Sequence, residues 1–176
     1  MDTAARVDDI DWDSWRPHDE ATLMFIIRGG EVLLIRKLRG LGRGKINAPG
    51  GRLEAGETPL EAAVRETVEE VGVTPVGVRA RGSLAFQFKA DGATPDGAPR
   101  VGYRLACHVF SADGCDGEPV ATDEAIPQWF PLHAIPYEEM WADDRVWLPR
   151  MLAGRTPFAG RFVFDGERMI DCVLTS

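Results

Sequence analysis

GRLEAGETPLEAAVRETVEEVGV, residues 51–73, organises the reading of the whole chain. Thr58, Pro59 and Glu61 make a capping box with proline at the first helical position. The hydroxyl accepts from the third residue's N–H, that residue's carboxylate reaches back, and a helix starts there. Leu60, Ala63, Val64, Thr67, Val68 and Val71 recur at steps of three and four, which predicts one apolar face. Gly72 suits the left-handed position that ends a helix. Arg65, Glu66, Glu69 and Glu70 fall on the polar side, and their offsets bring three carboxylates within reach of one point. An acidic face is ordinarily solvated surface. These acids, however, crowd the C-terminal half of the helix, where like charge and the helix dipole both oppose them. A compensating charge from outside is expected, and a hard divalent cation with oxygen ligands would supply it.

Working outward, two apolar runs, Thr22 to Arg28 and Glu31 to Arg36, flank Gly29-Gly30 and read as an antiparallel hairpin. Lys37 to Gly56 is rich in glycine and basic residues and reads as loop with short strand pieces. Strand-like runs follow at Val76 to Lys89 and Val101 to Phe110, joined by a Gly/Pro-rich stretch, Ala90 to Arg100, expected to be a mobile loop. A short strand near Gln128 to Phe130 is expected, then a turn and helix over Tyr137 to Leu152. A last hairpin runs across Asp165-Gly166 between Gly160–Phe164 and Arg168–Leu174. Without regular βα alternation, the expected fold class is α/β in the α+β sense: a mixed sheet between helices. Trp129, Trp147, Phe110 and Phe162 are expected in the core.

The 176 residues, 44% hydrophobic, suit one globular domain, read as residues 21–176 behind an N-terminal extension, 1–20. A net charge of −8 argues against a surface that grips nucleic acid. Cys107, Cys115 and Cys172 are too few and scattered for a disulfide framework or zinc site. His18, His108 and His133 show no ligand spacing. No signal peptide and no membrane-length apolar run is recognised, so the expectation is a cytoplasmic protein without membrane or nucleic-acid partners, monomeric or homodimeric. Trp12 and Trp15 are expected to dock on the domain or on a second subunit.

From Gly51, five residues lead to Glu57, seven more to Arg65-Glu66, and then come Glu69-Glu70, Gly72 and Val73. This pattern resembles the Nudix box, with Thr67 the one departure, since an aliphatic residue is usual there. The resemblance implies the Nudix fold and a hydrolase that cuts a diphosphate bridge with Mg²⁺, Mn²⁺ being a possible substitute. It assigns Gly50 (through its carbonyl), Glu66, Glu69 and Glu70 to the metal. Arg65 and Glu57 become supporting members of the catalytic set, Arg65 orienting carboxylates. One glutamate would act as general base, and the choice among them stays open.

Beyond the box, Lys37 to Asn47, Ser83 to Phe88, Thr122-Asp123-Glu124 and Met140 to Trp147 resemble the oxidised-purine nucleoside triphosphatase branch. That resemblance implies hydrolysis of nucleotides such as 8-oxo-dGTP or 2-hydroxy-dATP to monophosphate and pyrophosphate, which would sanitise the nucleotide pool. It places Thr22, Lys37, Asn47, Gly51 and Arg52 against the nucleotide, Phe86 and Trp141 beside the base, Asp143 and Asp144 on the base edge, and Glu124 at the metal. A helix N-cap is the alternative for Asp143-Asp144. Leu41, Ile46 and Ala142 replace an aromatic, a tryptophan and a proline of mammalian members. Two other readings remain. One is a Nudix enzyme for ADP-ribose or a dinucleoside polyphosphate, although Gln87-Phe88-Lys89 stands where ADP-sugar enzymes tend to carry a proline. The other is a non-catalytic nucleotide-binding member, which the retained glutamates disfavour.

Overall fold

The computed structural model describes residues 6–89 and 102–176. Ten strands and two α-helices follow one another as β1 (Asp19–Arg28), β2 (Glu31–Lys37), β3 (Ile46–Asn47), α1 (Pro59–Val71), β4 (Thr74–Val76), β5 (Arg79–Phe88), β6 (Arg104–Ala112), β7 (Gly114–Asp116), β8 (Ala125–Pro131), α2 (Asp144–Leu152), β9 (Phe158–Asp165) and β10 (Arg168–Thr175). The main sheet runs β10-β9-β5-β6-β1-β2-β3, with β8 also on β2. It is mixed: β1 pairs with β6 and β5 with β9 in parallel, while the remaining pairs are antiparallel. β4 and β7 form a separate two-stranded ribbon.

Alternation along the central strands builds two cores. Met24 and Ile26 of β1 and Leu33 and Ile35 of β2 face one side, where they pack with Ala63 and Val71 of α1. Phe25, Val32 and Leu34 face the other, with Trp147, Leu148 and Met151 of α2. Trp147 is fully buried, edge-on to Phe25 and stacked on Phe158, both at 5.5 Å between ring centroids. Such pairs contribute about 0.5–1.5 kcal/mol beyond area burial. The mixed sheet therefore lies between one helix per face, as the sequence pattern predicts.

Several local expectations hold for their stated reasons. Gly29 and Gly30 take φ of 59° and 78°, the positive pair a two-residue hairpin needs, and Arg28 pairs with Glu31 across them. Thr58 Oγ1 accepts from Glu61 N (3.2 Å) while the Glu61 carboxylate accepts from Thr58 N (2.8 Å). A cap of this kind is worth roughly 1 kcal/mol. Thr67 is buried and its hydroxyl donates to the Ala63 carbonyl at 2.7 Å, which satisfies the polar group within α1.

Other expectations are corrected. Leu60 and Val68 are 46% and 43% exposed, so the apolar face of α1 is narrower than its spacing implies. The buried side carries Ala62, Ala63, Thr67, Glu70 and Val71, rotated so that a carboxylate points inward. Trp129 is only half-buried, with the Arg28 guanidinium 4.5 Å above its ring. β8 spans seven residues rather than three, because Pro127 and Pro131 obscure an edge strand that tolerates missing N–H groups. β1 begins at Asp19 instead of Thr22. The expected loop from Ala90 to Arg100 lies outside the described residues.

The segment before β1 folds onto the same chain. Val7 is buried and its N–H donates to Asp171 Oδ2 (3.0 Å). Trp12 Nε1 donates to the Val7 carbonyl (2.8 Å), and Trp12 lies under Arg161. Trp15 Nε1 donates to Gln87 Oε1 at 3.0 Å. Among the described residues no helix is long and apolar enough to cross a membrane.

Candidate active site

The turn Asn47–Arg52 is pressed against β1: Met24 N donates to the Pro49 carbonyl (2.8 Å) and Thr22 N to that of Gly51 (2.9 Å). Side chains are excluded at its centre. A Cβ on Gly50 would sit 1.9 Å from the Thr22 carbonyl oxygen, and one on Gly51 would sit 2.4 Å from Glu66 Cδ. Glycine at both positions therefore lets the backbone lie directly beside the α1 carboxylates.

Glu66, Glu70 and Glu124 each offer one carboxylate oxygen, and these oxygens lie within 4.8 Å of one another. Thr122 joins the two contributing segments, its hydroxyl donating to the Glu70 carbonyl at 2.8 Å and accepting from Glu124 N at 3.2 Å. Glu70 is 3% exposed and its Oε2 has no hydrogen-bond partner. Burial pushes its pKa up to about 8, opposed by the charge of Lys37. Burial raises Glu66 as well, against the pull of Arg65. An orphaned buried oxygen among converging carboxylates is what a hard divalent cation would satisfy, so the donor set fits such an ion.

Glu69 stands outside this cluster. It is half-exposed and bonded to Arg65 Nη1 at 3.1 Å, so the common point predicted for Glu66, Glu69 and Glu70 is replaced by one for Glu66, Glu70 and Glu124. The i,i+3 offset alone would let Glu69 join Glu66, but its carboxylate is turned back to Arg65, one helical turn earlier. Arg65 holds the periphery together. Its Nε and Nη2 grip Glu57 at 2.5 and 2.9 Å, Nη1 reaches Glu66 Oε1 at 2.9 Å, and Nη2 also donates to the Arg52 carbonyl at 3.1 Å. The Arg65 guanidinium lowers the Glu57 pKa to about 2. Arg39 forms an ion pair with Glu124 that sequence reading did not anticipate.

A cleft of about 280 Å³ opens beside the carboxylates. Thr22, Lys37, Asn47, Gly51, Arg52, Phe86, Trp141, Asp143 and Asp144 all line it, as does Gly50. The candidates drawn from five separate stretches are thus brought together. Asn47 Oδ1 accepts from Ala48 N at 2.8 Å, which fixes the side chain. Phe86 stacks on Phe162 (5.4 Å) and Trp141 meets Phe164 edge-on (5.8 Å). Phe88, Phe164, Leu105 and Cys107 also form walls. Alternation on β5, β6 and β9 was the available signal for them, since they share faces with Phe86.

Asp143 and Asp144 line the cleft and are 4% and 2% exposed. Asp143 stands at the N-cap position of α2, but its side chain makes no capping bond and accepts instead from Trp147 Nε1 at 2.9 Å. Asp144 Oδ2 has no partner. Burial raises the pKa of Asp143 to about 6, and burial followed by the charge of Asp143 raises that of Asp144 well above the usual range. Adjacent carboxyls in such surroundings hold a proton between them near neutrality, so the pair offers donor and acceptor together.

The NUDIX domain family matches residues 17–151. The chain is 40% identical over 149 residues to the oxidized purine nucleoside triphosphate hydrolase of Danio rerio, covering 85% of this chain and 88% of that protein. It is 36% identical to the protein of the same name in Mus musculus, with the same coverage. The MutT protein of Bacillus halodurans superposes with a TM-score of 0.76 at 24% identity, covering 89% of this chain and 97% of that one. Fold, box geometry and similarity converge: the chain belongs to the Nudix hydrolase family.

Proposed function

We propose that this protein hydrolyses oxidised purine nucleoside triphosphates, such as 8-oxo-dGTP or 2-hydroxy-dATP, to the monophosphate and pyrophosphate, with Mg²⁺ as its metal and Mn²⁺ as a substitute. The observation that carries this reading is a three-carboxylate cluster with an orphaned oxygen, packed behind the Gly50-Gly51 wall of a cleft that is itself lined by a buried aspartate pair and aromatic side chains. The names borne by the zebrafish and mouse relatives support the same substrate class.

Glu66, Glu70 and Glu124, with the Gly50 carbonyl, are the groups that would hold the metal. When bound, it would supply charge neutralisation on the diphosphate oxygens and a more acidic water. Arg65 keeps Glu66 and Glu69 oriented through charge-assisted bonds, so Glu69 joins as ligand or proton acceptor only by loosening that pair. Lys37 and Arg52 line the cleft as cations facing the phosphate chain. Phe86 and Trp141 clamp the base, and platforms of this kind contribute roughly 1–3 kcal/mol per base. Asp143 and Asp144 read the edge of a purine that presents donors and an acceptor. The acidic surface, at net charge −8, favours a small nucleotide carried with metal over a nucleic-acid polymer.

The test is a panel of canonical and oxidised nucleotides with Mg²⁺, products separated chromatographically. Monophosphate plus pyrophosphate, fastest from an oxidised purine, is expected. Release of orthophosphate, or cleavage confined to ADP-ribose, would contradict the assignment.

A further inference from the structure

We propose that Lys45 is a positioning residue that fixes the indole plane of Trp141 from outside the cleft and thereby sets the affinity for the purine. The inference rests on reading Trp141 as a wall for the base.

Trp141 belongs to the irregular stretch between a short 3-10 turn, Tyr137–Glu139, and α2. It needs contacts from elsewhere to hold its plane. Phe164 meets one edge. Gly42 lies beside Nε1, where a Cβ would come within 2.8 Å, so the Leu38–Lys45 loop approaches the ring as closely as its backbone permits. Lys45 Nζ lies over the ring, 5.1 Å from its centroid. Trp141 lines the cleft and Lys45 does not, so the ammonium reaches the ring without forming part of the cleft surface.

The ammonium is itself held. Its partner is Glu167 Oε2 at 3.3 Å, at the turn joining β9 to β10, and the Lys45 side chain is only 23% exposed. The Lys45 backbone is pinned at the neck of the loop: Lys37 N donates to the Lys45 carbonyl (3.0 Å), Lys45 N to that of Gly42 (2.9 Å), and Gly44 N to that of Lys37 (2.8 Å). A surface lysine with one carboxylate partner would contribute little. This one adds a cation–π contact, made in partial shelter from solvent, to a ring that faces the proposed ligand. Arg39, at the other end of the loop, is bonded to Glu124, so the same loop contacts both Trp141 and a member of the carboxylate cluster.

Lys45→Met keeps the aliphatic stem and removes the charge. Binding of 8-oxo-dGMP, followed by calorimetry without divalent cation, is expected to weaken about fivefold, with KM for 8-oxo-dGTP rising by a similar factor and kcat changing less than about twofold. Lys45→Arg should restore affinity. In a Trp141→Leu background, Lys45→Met should cause no further loss. Unchanged affinity in Lys45→Met, where Trp141→Leu does weaken binding, would overturn the proposal alone. A further loss in the Trp141→Leu background would also overturn it, because Lys45 would then be touching the nucleotide directly. If Trp141→Leu leaves 8-oxo-dGMP affinity intact, the base-wall reading fails first and the role of Lys45 falls with it.

Discussion

Two sites gather carboxylates, one beside the cleft and one lining it, and their surroundings differ. At the first Arg65 distributes its guanidinium over Glu57, Glu66 and Glu69, and Lys37 lowers the cost of charge on Glu70. At the other, the side-chain donor reaching Asp143 is an indole N–H, and Asp144 keeps an oxygen without a partner. Burial makes ionisation expensive at both, raising the pKa of Glu70 to about 8 and that of Asp143 to about 6. At the first the charge of Lys37 opposes the rise, and at the second the main counterweight is the hydrogen bond from Trp147. On the proposed reading, carboxylates of one chemical type would serve metal binding at one site and base reading at the other, distinguished by environment.

The strongest break in this comparison is Glu70→Gln. Turnover should fall on the order of 10³-fold, as when a metal ligand or catalytic carboxylate is lost. Stability should move the other way. The folded-state pKa of Glu70, about 8, exceeds the ordinary glutamate value of about 4.3. Its contribution to stability is therefore full below the ordinary value and is lost as pH rises through the folded one. Thermal melts in chelator should show the wild type losing stability between those limits, and Glu70→Gln losing less. Equal slopes for the two proteins would count against an uncompensated Glu70.

Asp144→Asn sharpens the other half. We expect a tenfold to hundredfold drop in kcat/KM for the oxidised purine, about 1.4–2.8 kcal/mol, carried mostly by KM. In the wild type, raised aspartate pKa values mean that the shared proton is lost on the alkaline side, so KM should climb with pH and do so less in the variant. A pH series on both proteins decides the point. Arg65→Gln should lower activity about 10- to 100-fold by releasing Glu57 and Glu66, with weaker Mn²⁺ binding in a titration followed by electron paramagnetic resonance. The smallest effect belongs to Val68→Lys, expected within about 0.5 kcal/mol in denaturant melts because the position is exposed. A loss above about 2 kcal/mol would restore Val68 to the core.

The helix and both hairpins were legible because each depends on local chemistry: a threonine cap, a Gly-Gly turn, and Gly166, which opens the last turn although Asp165 itself pairs with Arg168 as the end of β9. The rotation of α1 was not, since it is set by what Glu70 must face across the fold and not by the helix's own periodicity. Glu124 is 54 residues from Glu70 in sequence, and only its resemblance to other members, never its spacing, marked it before the Thr122 bridge was visible. For Asp143-Asp144 the residues alone allow a cap or a base reader equally, and the family resemblance favours the base edge. The side chain of Trp147, four residues on, takes the carboxylate that a cap would have used. Lys45 and Arg39 lay in a glycine-rich loop whose path no periodic pattern constrains.

Gln87 has a consequence for engineering. Its amide accepts from Trp15 and donates to the carbonyls of Phe88 and Gly102, so it spans the two points where the chain leaves and re-enters the described sheet. A mortise of this kind makes one side chain answer for three segments. Losing that glutamine should loosen the end of β5, the approach to β6 and the tryptophan peg together.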